Sequence, residues 1–202
     1  MKKILFFFSI CAIFLSAYST LQAPMPKTIK SAVSNELAAI SAKKTPTPLP
    51  PTNGEVHIQC TNSLSDASSI NAAIQTSAIG DEIIISGQCL INQTIKLLGD
   101  RSYRGTSRTG TVLKQADGAN LLALLASDTF LENREWTGVP VAIRHMTLDG
   151  NRNLNQQGQT DGLILRSWMS VVEDLYITDM SQDGIKIAYK SANGTNLTTS
   201  QV

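Results

Sequence analysis

The chain has 202 residues, with 17 Lys and Arg against 16 Asp and Glu, for a formal net charge of +1. That value pools two unlike parts, because residues 1–53 hold six lysines and one glutamate. From Gly54 on, 11 basic and 15 acidic residues remain, a net charge of −4. Because residues 54–202 are mildly acidic, they produce no positive electrostatic potential that would attract nucleic-acid phosphates. The composition therefore argues against nucleic-acid binding.

The N-terminus has the pattern of an export signal. Met1-Lys2-Lys3 precedes an apolar run that ends at the small-x-small triplet Ala17-Tyr18-Ser19. The run is about 15 residues long, shorter than the roughly 20 of a membrane span. We predict a signal peptide over residues 1–19, with an uncleaved membrane anchor as the alternative. The mature protein is then secreted, periplasmic or on the cell surface, with no stable membrane insertion after signal removal.

Residues 20–53 have the composition of a linker. They contain the proline-rich segments APMP and TPTPLPPTN. Such segments stay extended and bury little surface, so we predict a flexible or semi-rigid spacer. The folded domain is then expected over residues 54–202.

Two cysteines remain once Cys11 is lost with the signal, namely Cys60 and Cys89. In an oxidising compartment an isolated pair of cysteines is a candidate disulfide. The alternative is that both are small buried hydrophobic residues.

From Glu55 on, short β-rich runs alternate with Gly, Asp and Asn. Apolar residues within 68–80 recur at helical spacing, with Ser68 available as N-cap and Gly80 as the stop, which predicts a helix over 68–78. We predict strands in the runs 56–60, 82–87, 94–99, 111–115, 141–151, 161–167, 171–180 and 183–189.

Two repeat spacings occur in the second half of the chain. The Asp-Gly pairs at Asp161 and Asp183 are 22 residues apart, and Ile143, Met146 and Leu148 match Val172, Leu175 and Ile177 at a spacing of 29. Periods of roughly 20–30 residues built from short strands indicate a β-solenoid. A β-sandwich is the alternative, but it uses hairpins, and no two-residue hairpin turn has matched alternation on both sides.

The stretch from Cys60 to Cys89, with INAAI and IGDEIIISGQC, followed by TIKLLG, resembles the opening of the pectate-lyase-like right-handed parallel β-helix superfamily. RGTSRTGTVLKQ, IRHMTLDGNRN and DGLILRSWMSVVEDLYITDMSQDGIKI resemble its successive coils. The resemblance implies an all-β fold, a right-handed parallel β-helix with an N-terminal capping helix. A disulfide between the two cysteines, which flank the capping helix, would hold that helix in place. The last residues resemble an unfinished coil, so we expect a domain truncated at its C-terminus.

The superfamily contains polysaccharide lyases, glycoside hydrolases, epimerases, phage tailspikes and adhesins. The resemblance implies that this exported protein acts on an acidic polysaccharide as a lyase or hydrolase, and we expect it to be a monomer. A non-catalytic surface adhesin or glycan-binding stalk is the alternative, and a catalytically inactive paralogue is a third hypothesis. The Gly-His-Gly, Asp-Asp and Arg-x-Lys motifs of the polygalacturonase branch are absent from the sequence, as is the Asp-Pro-His element of the epimerases.

Polar residues of the last predicted coils supply the candidate chemistry. Hydrolysis needs paired carboxylates, whereas elimination needs a base and a cation beside the uronate carboxyl. The catalytic candidates are Asp149, Asp161, Asp183 and Lys186, and the substrate-binding candidates are Arg144, His145, Arg152 and Trp168.

Each candidate has a structural alternative. An aspartate before glycine is a common turn residue, an outward histidine can simply be solvated, and Trp168 can fill a core as well as stack on sugar. Glu173-Asp174 could hold Ca²⁺, with an exposed charge pair as the alternative.

Overall fold

The structure is a computed structural model that describes residues 54–195. These residues fall within one compact unit, Thr47–Val202. The predicted signal peptide and linker lie outside the described residues. The described elements are β1 (Glu55–Gln59), α1 (Asp66–Thr76), β2 (Glu82–Ile91), β3 (Ile95–Leu97), β4 (Arg101–Gly105), β5 (Thr111–Gln115), β6 (Ala123–Ser127), α2 (Asp128–Leu131), β7 (Val141–Asp149), a 3₁₀ turn (Arg152–Leu154), β8 (Asp161–Leu165), β9 (Val171–Thr178) and β10 (Ile185–Ile187).

The described strands form two sheets, and every strand pair in them is parallel. The first sheet contains β1, β2, β4, β5, β7 and β9, and the second has the order β10-β8-β6-β3. The chain passes from the first sheet to the second four times, at β2–β3, β5–β6, β7–β8 and β9–β10. The β-rich class predicted from the sequence is confirmed at this level.

The strand registers follow the two spacings found in the sequence. Between β7 and β9, Ile143 lies opposite Val172, Met146 opposite Leu175 and Leu148 opposite Ile177, each pair 29 residues apart. Between β8 and β10, Leu163 lies opposite Ile185, which is the spacing of 22. Both predicted registers are confirmed, because each repeat aligns the inward apolar side chains of adjacent strands.

The long strands β2, β7 and β9 bend at a residue with positive φ. These residues are Gly87, His145 and Asp174, with φ of 88°, 57° and 50°. The two halves of β2 pair separately, the first with β4 and the second with β5. Strands β4 and β5 together therefore correspond to one long strand. Loop 106–110, which joins them, lies where β2, β7 and β9 each have a single bend residue. For His145 and Asp174, which carry a Cβ, this backbone conformation costs about 1 kcal/mol or more.

Inward side chains stack in rows across the first sheet. Cys89, Leu113, Leu148 and Ile177 form one such row from β2 to β9. The first three are almost completely buried, whereas Ile177 on the last strand of the row is only partly buried. Burying one such side chain contributes roughly 1.5–3 kcal/mol, so these rows hold the sheets together.

The disulfide predicted between Cys60 and Cys89 is confirmed. Cys60 directly follows β1 and Cys89 lies in β2. The bridge therefore encloses α1, whose Ile70 and Ile74 are buried in the same core cluster as both cysteines.

Helix α1 begins two residues before the predicted start. It starts at Asp66 with Ser65 as N-cap, and Ser68 lies inside it with its hydroxyl donating to the Ser65 carbonyl. The prediction of Ser68 as N-cap was wrong. The reason is the Asp66 carboxylate, which accepts hydrogen bonds from the backbone N–H groups of Thr61, Ser63 and Leu90 and so fixes the loop before the helix.

Replacing Asp66 with asparagine should lower the free energy of unfolding by roughly 1–3 kcal/mol near neutral pH. Burial by itself raises the pKa of Asp66, but the hydrogen bonds from Thr61, Leu90 and Ser63 outweigh burial and hold that pKa below its usual value. The carboxylate therefore stabilises the fold above the unfolded-state pKa of about 3.9, and this stability is lost as the pH falls through the folded-state pKa.

Urea unfolding of Asp66→Asn at several pH values measures the effect. The difference from the wild type should shrink as the pH falls below about 4. Glu135→Gln is the control, because Glu135 is exposed and has no hydrogen bond or ion pair among the described residues. A difference that stays constant across this range would refute the assignment.

Candidate functional site

The outer face of β5 and of the second halves of β7 and β9 carries one predicted site residue, Asp149. Because side chains alternate along a strand, Lys114, Thr147, Asp149 and Tyr176 point away from the inward row of Leu113, Leu148 and Ile177. Lys114 lies opposite Asp149, and Thr147 lies opposite Tyr176. We call residues 112–114, 147–149 and 176–178 the β5–β9 face.

The bends of β7 and β9 place a histidine against a carboxylate at one side of this face. His145 Nδ1 lies 2.8 Å from Asp174 Oδ2, and the two side chains are 39% and 44% exposed. Arg108 of loop 106–110 lies nearby, with its Nε 3.7 Å from Asp174 Oδ1. No described residue forms a hydrogen bond with His145 Nε2. A carboxylate that holds one imidazole nitrogen leaves the other free for proton transfer.

Loop 106–110 is held over the bend by the strand beneath it. The Thr147 hydroxyl donates a hydrogen bond of 2.5 Å to the Arg108 carbonyl. The Thr111 hydroxyl at the end of the loop donates to the Ile85 carbonyl of β2. The middle of the loop and the residue that follows it are thus attached to the first sheet, and Arg108 is positioned beside Asp174.

Arginines line β4 and the first half of β7. Arg104 lies opposite Arg144, and each is neutralised by a glutamate of a flanking strand. Arg104 pairs with Glu82 at 3.0 Å, and Arg144 pairs with Glu173 at 2.8 Å. The hydrogen bond with Glu82 outweighs burial and raises the pKa of Arg104. These pairs place fixed cations and anions side by side next to His145.

Asp149 is a turn residue that also faces solvent. Its Oδ1 accepts a hydrogen bond of 2.8 Å from the N–H of Asn151, the arrangement predicted as its structural alternative. Arg152 is exposed in the 3₁₀ turn that follows, and its N–H donates to the Asp179 carbonyl. Neither observation tests a catalytic role for Asp149, which stays a prediction.

The structure places three other candidates together on the second sheet. Asp161 is only 1% exposed, and its carboxylate accepts hydrogen bonds from the N–H of Asp183 at 2.9 Å and from Lys186 Nζ at 3.1 Å. Asp161 and Lys186 therefore link β8 to β10. They do not share a sheet with Asp149 or His145.

Trp168 is exposed in the turn after β8, next to a second exposed tryptophan. The backbone N–H of Trp168 donates to the Gly138 carbonyl, and the loop before Gly138 carries Trp136. That loop is held by Arg166, whose completely buried Nη1 donates to the carbonyls of Thr129, Arg134 and Trp136. Burial lowers the pKa of Arg166, and its Nε and Nη2 have no hydrogen-bond partner among the described residues.

Arg108 and Arg166 were not among the predicted site residues, and Asp174 was predicted only as a Ca²⁺ ligand together with Glu173. The sequence contained the signal for Asp174, because the spacing of 29 residues that separates Ile143 from Val172 also separates His145 from Asp174. Arg108 lies in a loop, and the carbonyls that Arg166 binds in loop 132–137 come near it only when the chain folds. Neither residue therefore has a signal in the strand pattern.

Within residues 54–195 there is no group of three or more His, Cys, Asp or Glu side chains that could hold a metal ion. Glu173 and Asp174, the predicted Ca²⁺ residues, are engaged with Arg144 and with His145 and Arg108. None of the described helices has the length and apolar character needed to cross a membrane. No family model, no curated protein and no solved structure matches this chain.

Proposed function

We propose that this chain is an exported right-handed parallel β-helix protein that binds acidic polysaccharide on the β5–β9 face and cleaves it by β-elimination. The β-helix is supported by exclusively parallel strand pairing among the described residues and by four passages between the same two sheets. Export is supported by the disulfide, because such bonds persist in oxidising compartments.

The contact between His145 and Asp174 carries the proposal. With Nδ1 donating to the Asp174 carboxylate, His145 Nε2 keeps the lone pair that a general base needs. Asp174 then also stabilises the imidazolium that forms when the base takes up a proton. Both side chains are partly exposed, so an extended chain of sugars can reach them.

The elimination uses groups that surround this contact. His145 Nε2 removes the proton from the carbon next to the uronate carboxyl. The electron pair forms a carbon–carbon double bond as the bond from the next carbon to the linking oxygen breaks, and that oxygen takes a proton from water. The hydroxide left by this water takes the abstracted proton from the imidazolium and restores the base. Arg108 and Arg144 lie beside the histidine, where a guanidinium can stabilise the negative charge that builds up on the carboxyl group.

Hydrolysis is supported less well by the same geometry. A glycoside hydrolase needs two carboxylates that flank one glycosidic bond, roughly 5–9.5 Å apart. Asp149 and Asp161 lie on different sheets, and each accepts a hydrogen bond from a backbone N–H. The elimination reaction needs neither of them.

Replacing His145 with alanine should lower kcat/KM on the uronan that is cleaved by about 10²–10⁴-fold, the usual contribution of a general base. The mature protein is incubated with pectin, alginate and related uronans, and unsaturated ends are followed by their ultraviolet absorbance. His57→Ala is a matched control, because His57 is also exposed and contacts a carboxylate, Glu55, at 2.9 Å on β1. Equal rates for both variants would refute the role of His145, and reducing ends without ultraviolet absorbance would show hydrolysis instead.

A second function, glycan binding without cleavage, is favoured by the exposed aromatic side chains. Trp136, Trp168, Tyr176 and Tyr189 are each roughly half exposed or more. Aromatic faces stack on sugar rings, and such exposure is unusual for residues that only fill a core. Saturable uronan binding with no product from any of the substrates would favour this function over the lyase.

A further inference from the structure

A pocket lies between the loop that follows β5 and the loop that follows β7. Its volume is about 470 Å³, and it is lined by Gly118, Asn120, Asn153, Leu154, Gln156 and Gln157. Ligand sites in proteins commonly have volumes of roughly 300–1,000 Å³. The pocket borders the β5–β9 face, because Asp149 at the end of β7 leads directly into the second of these loops.

Buried amides fix the walls of this pocket. The Asn155 side chain is almost completely buried, accepts a hydrogen bond from the N–H of Asn120 and donates one to the Asn151 carbonyl. Gln115, also buried, accepts from the N–H of Leu121 and donates to the Gly150 carbonyl. The two loops are thereby held together without any ligand, so binding need not order them.

The loops also approach each other at the backbone. The N–H of Gly118 donates to the Leu154 carbonyl at 3.0 Å. A Cβ built on Gly158 would lie 2.8 Å from the Cα of Asn120, so only glycine fits at this crossing. The crossing closes one side of the pocket and keeps Asn120 in place.

The lining is polar but uncharged. Asn153 and Gln157 are exposed, and their side-chain amides form no hydrogen bond with any described residue. Each amide offers two donors and one acceptor, which matches the mixed donor and acceptor character of sugar hydroxyls. Leu154 adds an exposed apolar surface for the C–H face of a sugar ring. A carboxylate or phosphate ligand would find no cation in this lining to pair with.

We propose that this pocket binds an uncharged sugar residue of the polysaccharide. The inference rests on the proposed function only in taking a polysaccharide as the ligand. The acidic sugars then lie on the β5–β9 face beside the arginines, and a neutral residue or branch of the same polymer enters the amide-lined pocket. The pocket therefore selects polymers that contain both kinds of sugar.

The test is an NMR titration of the mature protein with neutral disaccharides and tetrasaccharides of glucose, galactose and mannose. We expect saturable shifts of the side-chain amide signals of Asn153 and Gln157 with at least one of these sugars. Asn153→Ala and Gln157→Ala should each weaken its binding about tenfold, the effect of losing one or two hydrogen bonds. Both side chains lack protein partners among the described residues, so the variants are expected to fold like the wild type.

Asn92→Ala and Gln75→Ala are the matched controls, since both side chains are exposed amides that form no hydrogen bond with the described residues and lie outside the pocket. Absence of saturable shifts with every sugar, or equal weakening by the control variants, would overturn the proposal.

The His145→Ala variant separates this proposal from the lyase. It should bind the neutral sugar as the wild type does while losing uronan cleavage. Uronan cleavage without neutral-sugar binding would overturn the pocket proposal alone, and neutral-sugar binding without cleavage would overturn the lyase alone.

Discussion

Replacing both Cys60 and Cys89 with alanine should lower the free energy of unfolding by roughly 3–4 kcal/mol. The bridged residues are 29 positions apart, so the disulfide removes much of the conformational freedom of this loop in the unfolded chain. The folded state also loses two buried sulfur atoms from the cluster that contains Ile70 and Ile74 of α1. We expect α1 to be the first element to detach, because its buried residues Ile70 and Ile74 pack in the cluster that contains this bridge.

Urea unfolding with and without a reducing agent measures this effect. The wild type should lose stability when reduced, whereas the double variant should be insensitive to the reductant. Amide exchange in residues 66–76 should rise more than exchange in β7 or β8, because the bridge is local to the helix. Equal unfolding midpoints for the oxidised wild type and the double variant would contradict the prediction.

Most strand positions and two registers could be predicted because apolar residues alternate along many of the strands or recur at a fixed spacing. Apolar residues at alternate positions, repeated after 22 or 29 residues, leave one alignment that keeps all of them inside. Strand β6 was missed because the run ALLAS has no alternation and leads directly into α2. Strand β8 is equally buried, but its Asp161-Gly162 pair, repeated at Asp183, marked it in the sequence. Strand β4 was missed because its sequence, RSYRG, has no apolar period.

The candidate site could be predicted in part for the same reason. His145 was predicted to face outward, as Thr147 does, because the two alternate with the apolar residues Met146 and Leu148 of β7. The burial of Asp161 could not be predicted, because it depends on Lys186 and the N–H of Asp183 reaching it from the next strand pair. Arg166 was missed for a related reason, since the carbonyls that it binds belong to a loop with no regular pattern.

Gly105→Ala should destabilise the fold by about 3–5 kcal/mol, because the added Cβ would have no space between β4 and β7. Gly105 ends β4, and a Cβ on it would collide with the carbonyl oxygen of His145 and would lie 2.8 Å from the Cβ of Thr111. The carbonyl is backbone at the bend of β7 and cannot rotate away as a side chain can. The strands must therefore separate or the bend must shift.

Gly184→Ala is the control, because a Cβ there would meet only ordinary van der Waals contacts of 3.5–4.0 Å with Ile177. It should change the free energy of unfolding by less than about 1 kcal/mol. Thermal unfolding of the two variants measures the difference, and equal stability would mean that β4 and β7 do not approach as closely as described.

The same substitution connects the packing of the strands to the proposed chemistry. The atom that blocks a side chain at position 105 belongs to His145, whose imidazole must stay aligned with Asp174 to act as a base. A shift of about 1 Å in this alignment can reduce a rate about 100-fold. We therefore expect Gly105→Ala to lose uronan cleavage even at temperatures where it remains folded, while neutral-sugar binding by the pocket persists. Retained cleavage in a folded Gly105→Ala protein would show that the geometry at His145 does not limit the reaction.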